Sequence, residues 1–297
     1  MGSARFGKVL TAMVTPFDDE GALDVEGAKE LARWLVAHGN DGLVLMGTTG
    51  EAPTVSDDEK VELWRAVREA VDVPLLAGTG SYDTLHTIAL SERAAACGVD
   101  GLLVVVPYYN RPPQSGIDAH MRAVAGATDL PIVMYDVPSR TGRAMTVDTI
   151  VRLAREVPTI VGLKDARGNP FDAARIIAEA PDDFDLYSGD DSLTLPLLAV
   201  GAVGVVGVAT HWCGVQMSEM VTAHEKGDVI AARDINARLL ESFAFEATEL
   251  WQHSSGVKSV LNELGLPAGP CRLPLPPHAH EARPRAREII AALEVTK

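Results

Sequence analysis

Residues 160–169 read IVGLKDARGN. The short apolar run Ile160 to Leu163, closed by a loop at Arg167, Gly168 and Asn169, fits a buried strand. Yet a lysine, Lys164, follows that run directly. Such a lysine reaches for water, makes an ion pair, or serves as a nucleophile. Its neighbours along the chain decide among these.

On both sides of it the same pattern recurs. Val/Leu/Ile-rich runs alternate with amphipathic stretches at βα spacing. The strand candidates are 9–14, 42–46, 74–78, 101–106, 131–136, 159–164, 184–189 and 204–208. Ala28, Leu31, Leu35 and Val36 recur at helical spacing. Ser56 and Glu59 have the form of a capping box, and Gly39 and Gly98 stand where helices end. Eight such units predict a (β/α)8 TIM barrel over residues 1–228. The runner-up, a doubly wound sheet, usually carries a glycine-rich turn after its first strand, and VTPFDDEG is not one. Beyond 228 the strand signal stops, which predicts a C-terminal helical region over 229–297.

Composition narrows the function classes. The 297 residues hold 26 Lys and Arg against 41 Asp and Glu, a formal net charge of −15. That balance argues against a nucleic-acid binder but leaves room for anionic small substrates met by a local Arg or Lys. No apolar run is long enough for a membrane span. The N-terminal stretch lacks the form of a signal peptide. Three scattered cysteines, Cys97, Cys213 and Cys271, form neither a disulfide framework nor a metal motif, and fit the cytoplasm.

A barrel's active site lies at the C-terminal ends of its strands. Those ends carry GTTGE (47–51), PYYNRPPQ (107–114), YDVPSRTG (135–142), Lys164 and YSGDD (187–191). A lysine facing the interior is partly desolvated, which makes its neutral amine available to attack a ketone and form a Schiff base. The plainer alternatives are an ion pair with Asp165 or a stem that snorkels outward. Tyr135 ends the adjacent strand, and a hydroxyl relay through Thr48 to Tyr109 suits the proton traffic of imine formation. The GTTGE turn offers hydroxyls and backbone N–H groups to a carboxylate, and Arg140 can hold a second one. Asp190 and Asp191 are expected at a helix N-terminus rather than on a metal. His211 and Cys213 are expected to pack locally.

Those motifs, with the late RLPL (272–275), together resemble the dihydrodipicolinate synthase family, in the superfamily of N-acetylneuraminate lyases and class I Schiff-base aldolases. The resemblance runs from LTAMVTPF to RLPL. It implies condensation of pyruvate with L-aspartate-4-semialdehyde in lysine and diaminopimelate biosynthesis. Lys164 would be the Schiff-base lysine and Tyr135 the proton shuttle, with Thr48 and Tyr109 completing a hydroxyl triad. Tyr109 would reach across a dimer interface into a neighbour's site. Thr49 and Gly50 would hold the pyruvate carboxylate, and Arg140 that of the semialdehyde. Gly189 and the main chain at Val206 would line the pocket. The resemblance implies no metal and no organic cofactor, and a homotetramer built as a dimer of dimers.

The alternatives are a 2-keto-3-deoxy sugar acid aldolase, an N-acetylneuraminate lyase-like enzyme, or a keto-acid-binding paralogue without catalysis. The double threonine and the S-R-T-G segment favour the synthase. Departures stand at GVATHWCG after the eighth strand and at HSSGVK (253–258). Tyr82, His86, Asp57 and Lys60 differ from the Asn, Glu and His common where lysine inhibits the family, which predicts weak or absent inhibition by L-lysine.

Overall fold

The computed structural model describes residues 4–248, 250–251 and 253–297. Eight short strands close into one parallel barrel: β1 (Val9–Ala12), β2 (Gly42–Leu45), β3 (Leu75–Gly78), β4 (Gly101–Val105), β5 (Ile132–Asp136), β6 (Ile160–Asp165), β7 (Asp185–Ser188) and β8 (Gly204–Gly207). All eight expected runs are strands, seven of them trimmed by a residue or two at their ends and β6 shifted by one residue to end at Asp165. The helices around and beyond them are α1 (Val25–Ala37), α2 (Asp57–Ala70), α3 (Thr84–Ala95), α4 (Gln114–Ala125), α5 (Pro138–Thr141), α6 (Val147–Glu156), α7 (Pro170–Glu179), α8 (Thr194–Ala199), α9 (Thr210–Glu225), α10 (Val229–Glu246), α11 (His253–Glu263) and α12 (Arg283–Leu293). The fold is a TIM barrel with a C-terminal helical region. Among the described residues no helix is long and apolar enough to cross a membrane.

Strand alternation divides the core in two. Leu10, Val44, Leu76, Leu103, Val133 and Val206 fill the barrel interior. Their outward neighbours, such as Leu43, Leu75, Leu102, Met134, Leu163 and Val205, pack beneath the helices. Local signals start and stop the helices. Ser56 Oγ accepts from Glu59 N at 3.3 Å while Glu59 Oε2 accepts from Ser56 N at 2.8 Å, closing the capping box of α2. After α1, Gly39 takes a φ of +90°, a conformation that a side chain would resist.

One irregularity matters for the site. Ile132 pairs with Ile160, but Val133 pairs with Gly162, so the β5–β6 register slips by one residue at Val161. Without that slip Leu163 would stand opposite Tyr135. With it, Tyr135 pairs with Lys164, and Lys164 pairs with Tyr187 on the other side.

The C-terminal region folds back over the barrel. Trp212 Nε1 on α9 donates to Ser242 Oγ on α10 at 3.0 Å. Ser254 Oγ on α11 donates to the carbonyl of Thr49 at 3.0 Å. The segment after α11 returns through Ala268, whose carbonyl accepts from Phe17 N at 3.3 Å.

Candidate active site

Lys164 sits in the last turn of the β6 pleat, 5 % exposed, with its Nζ 4.5 Å from the centroid of the Tyr135 ring. Neither plain alternative fits this position. The stem does not reach solvent. Asp165 points away and is engaged by Arg167, whose Nη2 lies 2.7 Å from Oδ2. Burial lowers the Lys164 pKa to about 8, against an opposing pull from Asp191 and Glu246. About a tenth of the amine is therefore neutral at pH 7, far more than for an ordinary lysine. Gly189 makes room for the stem, because a Cβ there would lie 3.0 Å from Lys164 Cγ.

Tyr135 is buried beside it, and burial raises its pKa while Arg140 and a hydrogen bond with Thr48 pull it back. It lines a cavity of about 250 Å³ whose walls also include Thr48, Tyr108 and Arg140. Thr48 and Arg140 are exposed, as groups that meet an incoming substrate need to be. Thr49 is buried in the turn, and the Gly50 carbonyl accepts from Thr15 Oγ1 at 2.6 Å. A Cβ at Gly50 would lie 3.0 Å from the carbonyl of Met13 and 3.2 Å from Met46 N, so the turn is tightly packed around a glycine. Val206 lies in the barrel interior on β8.

Tyr109 is the exception. It takes a φ of +67° and its side chain is 92 % exposed, away from Tyr135 within the single chain. The structure thus gathers Lys164, Tyr135, Thr48, Thr49, Gly50, Arg140, Gly189 and Val206 at one end of the barrel, and leaves Tyr109 on the surface.

Two expectations about polar groups need separating. Asp190 does start a helical turn, its Oδ1 accepting from Ser192 N at 2.9 Å. Asp191 is the first residue of that turn, but its side chain turns inward, fully buried, with Oδ2 accepting from Val208 N at 2.8 Å. His211 packs as expected, its Nε2 accepting from Val14 N at 3.1 Å and its Nδ1 facing the carbonyl of Val208 at 2.7 Å.

The sequence reading missed Glu246 and His253. Glu246 is buried at the end of α10, with His253 Nδ1 3.0 Å from its Oε2. A signal was there, since Leu239, Ser242, Phe243 and Glu246 fall on one buried helical face. An acid on such a face demands a partner.

The comparisons match this geometry. The model of the dihydrodipicolinate synthetase family covers residues 5–293. The chain belongs to that family. A 4-hydroxy-tetrahydrodipicolinate synthase of Acidothermus cellulolyticus is 52 % identical over 99 % of this chain and 94 % of its own. A lysine-bound dihydrodipicolinate synthase from Cyanidioschyzon merolae superposes with a TM-score of 0.94 at 42 % identity, covering 97 % of this chain and 98 % of that one. A dihydrodipicolinate synthase variant described as monomeric superposes at 0.93 and 34 % identity, with 97 % of each chain covered. Family membership makes the chain an enzyme, a lyase.

Proposed function

We propose that this chain condenses pyruvate with L-aspartate-4-semialdehyde to 4-hydroxy-tetrahydrodipicolinate, in lysine and diaminopimelate biosynthesis, with Lys164 as the nucleophile. The observation that carries the reading is the inward Lys164 placed across from Tyr135 by the β5–β6 register slip. The neutral amine attacks the pyruvate ketone, and the carbinolamine loses water to give an iminium. The iminium is the electron sink, so a methyl proton leaves to give an enamine. Its carbon then attacks the semialdehyde carbonyl, whose oxygen takes up a proton, and the amino group of the semialdehyde adds to the iminium carbon and displaces the Lys164 amine, closing the ring. Tyr135, hydrogen-bonded to Thr48, moves protons to and from the departing hydroxyl. Thr49 and Gly50 hold the pyruvate carboxylate, and Arg140 the carboxylate of the semialdehyde. Gly189 and Val206 shape the floor. No metal or organic cofactor enters this scheme.

The test is borohydride reduction in the presence of pyruvate, followed by peptide mass spectrometry. A reduced pyruvyl adduct on Lys164 is expected. No adduct on folded protein at mildly alkaline pH overturns the assignment. Turnover of aspartate-4-semialdehyde, in preference to 2-keto-3-deoxy sugar acids, is the expected specificity.

The same proposal includes a cytoplasmic homotetramer, a dimer of dimers, in which Tyr109 completes a neighbour's hydroxyl triad. Its 92 % exposure in the single chain supports a role outside its own barrel. Mixing inactive Tyr109→Phe protein with inactive Lys164→Ala protein should restore part of the activity, through hybrid sites that carry both groups. Mixtures no more active than either parent would remove Tyr109 from the scheme. The division into a catalytic barrel, 1–228, and a helical region, 229–297, belongs to this reading and is supported by the turn between α9 and α10.

L-Lysine is expected to inhibit weakly or not at all. A second cavity, of about 440 Å³, has Asp57, Lys60, Tyr82 and His86 in its wall. Asp57 is the acid in that group, and it is already engaged: Lys60 Nζ lies 3.1 Å from Oδ1 and His86 Nε2 2.8 Å from Oδ2. The other acid in the wall, Asp83, caps α3 with its Oδ1 accepting from Leu85 N at 2.9 Å, so an incoming ammonium would meet a lysine and two engaged carboxylates. An initial-rate assay showing strong inhibition at millimolar L-lysine would refute this.

A further inference from the structure

The turn after β2, from Gly47 to Glu51, is braced from outside the barrel. Ser254 and Lys258 are buried on α11 at a spacing of one helical turn, and both reach it. Lys258 Nζ lies 2.7 Å from Glu51 Oε1. Ser254 is 2 % exposed, and its Oγ donates to the carbonyl of Thr49 at 3.0 Å. From the barrel side, Thr15 Oγ1 donates to the next carbonyl, that of Gly50, at 2.6 Å. Two successive carbonyls are thus each held by a hydroxyl from a different segment. The donors of the same residues are not so held. Thr49 and Gly50 are both buried, yet their N–H groups donate to no protein acceptor among the described residues. Glu51 N and Ala52 N, by contrast, close back on the carbonyls of Thr48 and Gly47 at 3.1 and 3.4 Å. Buried N–H groups without a partner call for an acceptor, and successive ones suit an anion.

We propose that Ser254 is a positioning residue for the pyruvate carboxylate: by holding the Thr49 carbonyl it keeps the N–H of Gly50 aimed at the substrate. The proposal rests on the assignment of Thr49 and Gly50 to that carboxylate made above. In a trans peptide the C=O of Thr49 and the N–H of Gly50 point in opposite directions, so fixing one fixes the other. The peptide before a glycine turns over most easily, because glycine accepts either sign of φ. Gly50 does not hold a positive φ. A flip of the Thr49–Gly50 peptide points the N–H away and sets a carbonyl oxygen against the incoming anion. The Ser254 hydroxyl opposes that flip. Its hydrogen bond also polarises the peptide, which makes the N–H a stronger donor.

The next residue supplies a matched comparison. Ser255 is as deeply buried on the same helix, but its Oγ donates to the carbonyl of Pro276 at 3.2 Å, away from the turn.

The test measures pyruvate KM, kcat and the pyruvate concentration for half-maximal borohydride trapping in Ser254→Ala and Ser255→Ala. Each variant removes one buried hydroxyl from α11, so both lower the thermal midpoint. Only Ser254→Ala is expected to raise KM and the half-maximal trapping concentration, by about tenfold, with kcat within about twofold of the wild type. Unchanged KM and trapping in that variant, whatever happens to kcat, overturn the proposal. So does an equal rise in Ser255→Ala, which assigns the effect to the packing of α11. If Ser254→Ala does not fold, Ser254→Cys reads the same quantity. Its thiol is close in size and a weaker donor, and KM should rise about threefold; an unchanged KM there also overturns the proposal. Acetone, which has the ketone without the carboxylate, separates the two assignments. Wild-type protein that forms no pyruvate adduct on Lys164, or traps acetone as readily as pyruvate, sinks the reading of the turn as a carboxylate site. A clear wild-type preference for pyruvate, with Ser254→Ala unchanged, sinks only the role of Ser254.

Discussion

Lys164→Ala is expected to lose the trapped pyruvyl adduct and at least about 10³-fold in kcat/KM for pyruvate, because the nucleophile itself is gone. The same variant should melt no lower than the wild type. A base whose folded pKa lies below its unfolded value is bound to fewer protons in the folded state between those two values. Stability therefore rises with pH across the window from about 8 to the ordinary lysine value. Below about 8 the penalty of burying the ammonium is present in full, and a shift of this size is of order 3 kcal/mol. That figure already includes the favourable pull of Asp191 and Glu246 on the ammonium. A midpoint equal to or above the wild type, with activity lost, marks a lysine kept for chemistry. A clear fall in midpoint would instead make Lys164 part of the scaffold. In the wild type, kcat/KM should climb about tenfold per pH unit on the acid side, bend near pH 8, where half the amine is free, and level off above it.

How much of this was legible in the residues depends on the scale of the signal. The barrel was legible because each strand is a short, continuous apolar run buried on both faces, and eight of them recur along the chain. Lys164 was legible because an ammonium directly after such a run contradicts its surroundings. The register slip at Val161 was not, since a bulge changes pairing without changing composition. Asp190 and Asp191 do open a helical turn, as an Asp-Asp pair after a strand suggests, but only three-dimensional packing separates the side chain that caps from the one that turns inward. Glu246 and His253 lie on separate helices, so their meeting is a product of how α10 and α11 close over the barrel. Tyr109 shows the opposite limit. The motif around it reads clearly, yet a single chain leaves it facing outward.

Lys258→Met is expected to lower stability by about 3–5 kcal/mol, a fall of the order of 10 °C in the thermal midpoint. The ammonium of Lys258, on α11, lies 2.7 Å from Glu51 Oε1, and both side chains are buried. It also donates to the carbonyl of Pro270 at 2.7 Å and sits 4.3 Å above the ring of Phe17. Glu51 Oε2 in turn accepts from Arg272 N at 2.8 Å. Removing the lysine strands a carboxylate in a desolvated space, which costs far more than the pair contributes when whole. Glu51 closes the GTTGE turn and itself holds a φ of +58°, so the pair also fixes the backbone that presents Thr48, Thr49 and Gly50. The two effects come apart in the double variant Glu51→Leu/Lys258→Met. Taking away both charges should recover most of the lost stability, because two apolar side chains of similar size replace a buried ion pair at little net cost. Pyruvate KM should stay raised, since Arg272 N has lost its acceptor and the turn its anchor. Recovery of KM along with the midpoint would mean that the pair only stabilises the fold, and that the carboxylate-binding turn holds its shape without it.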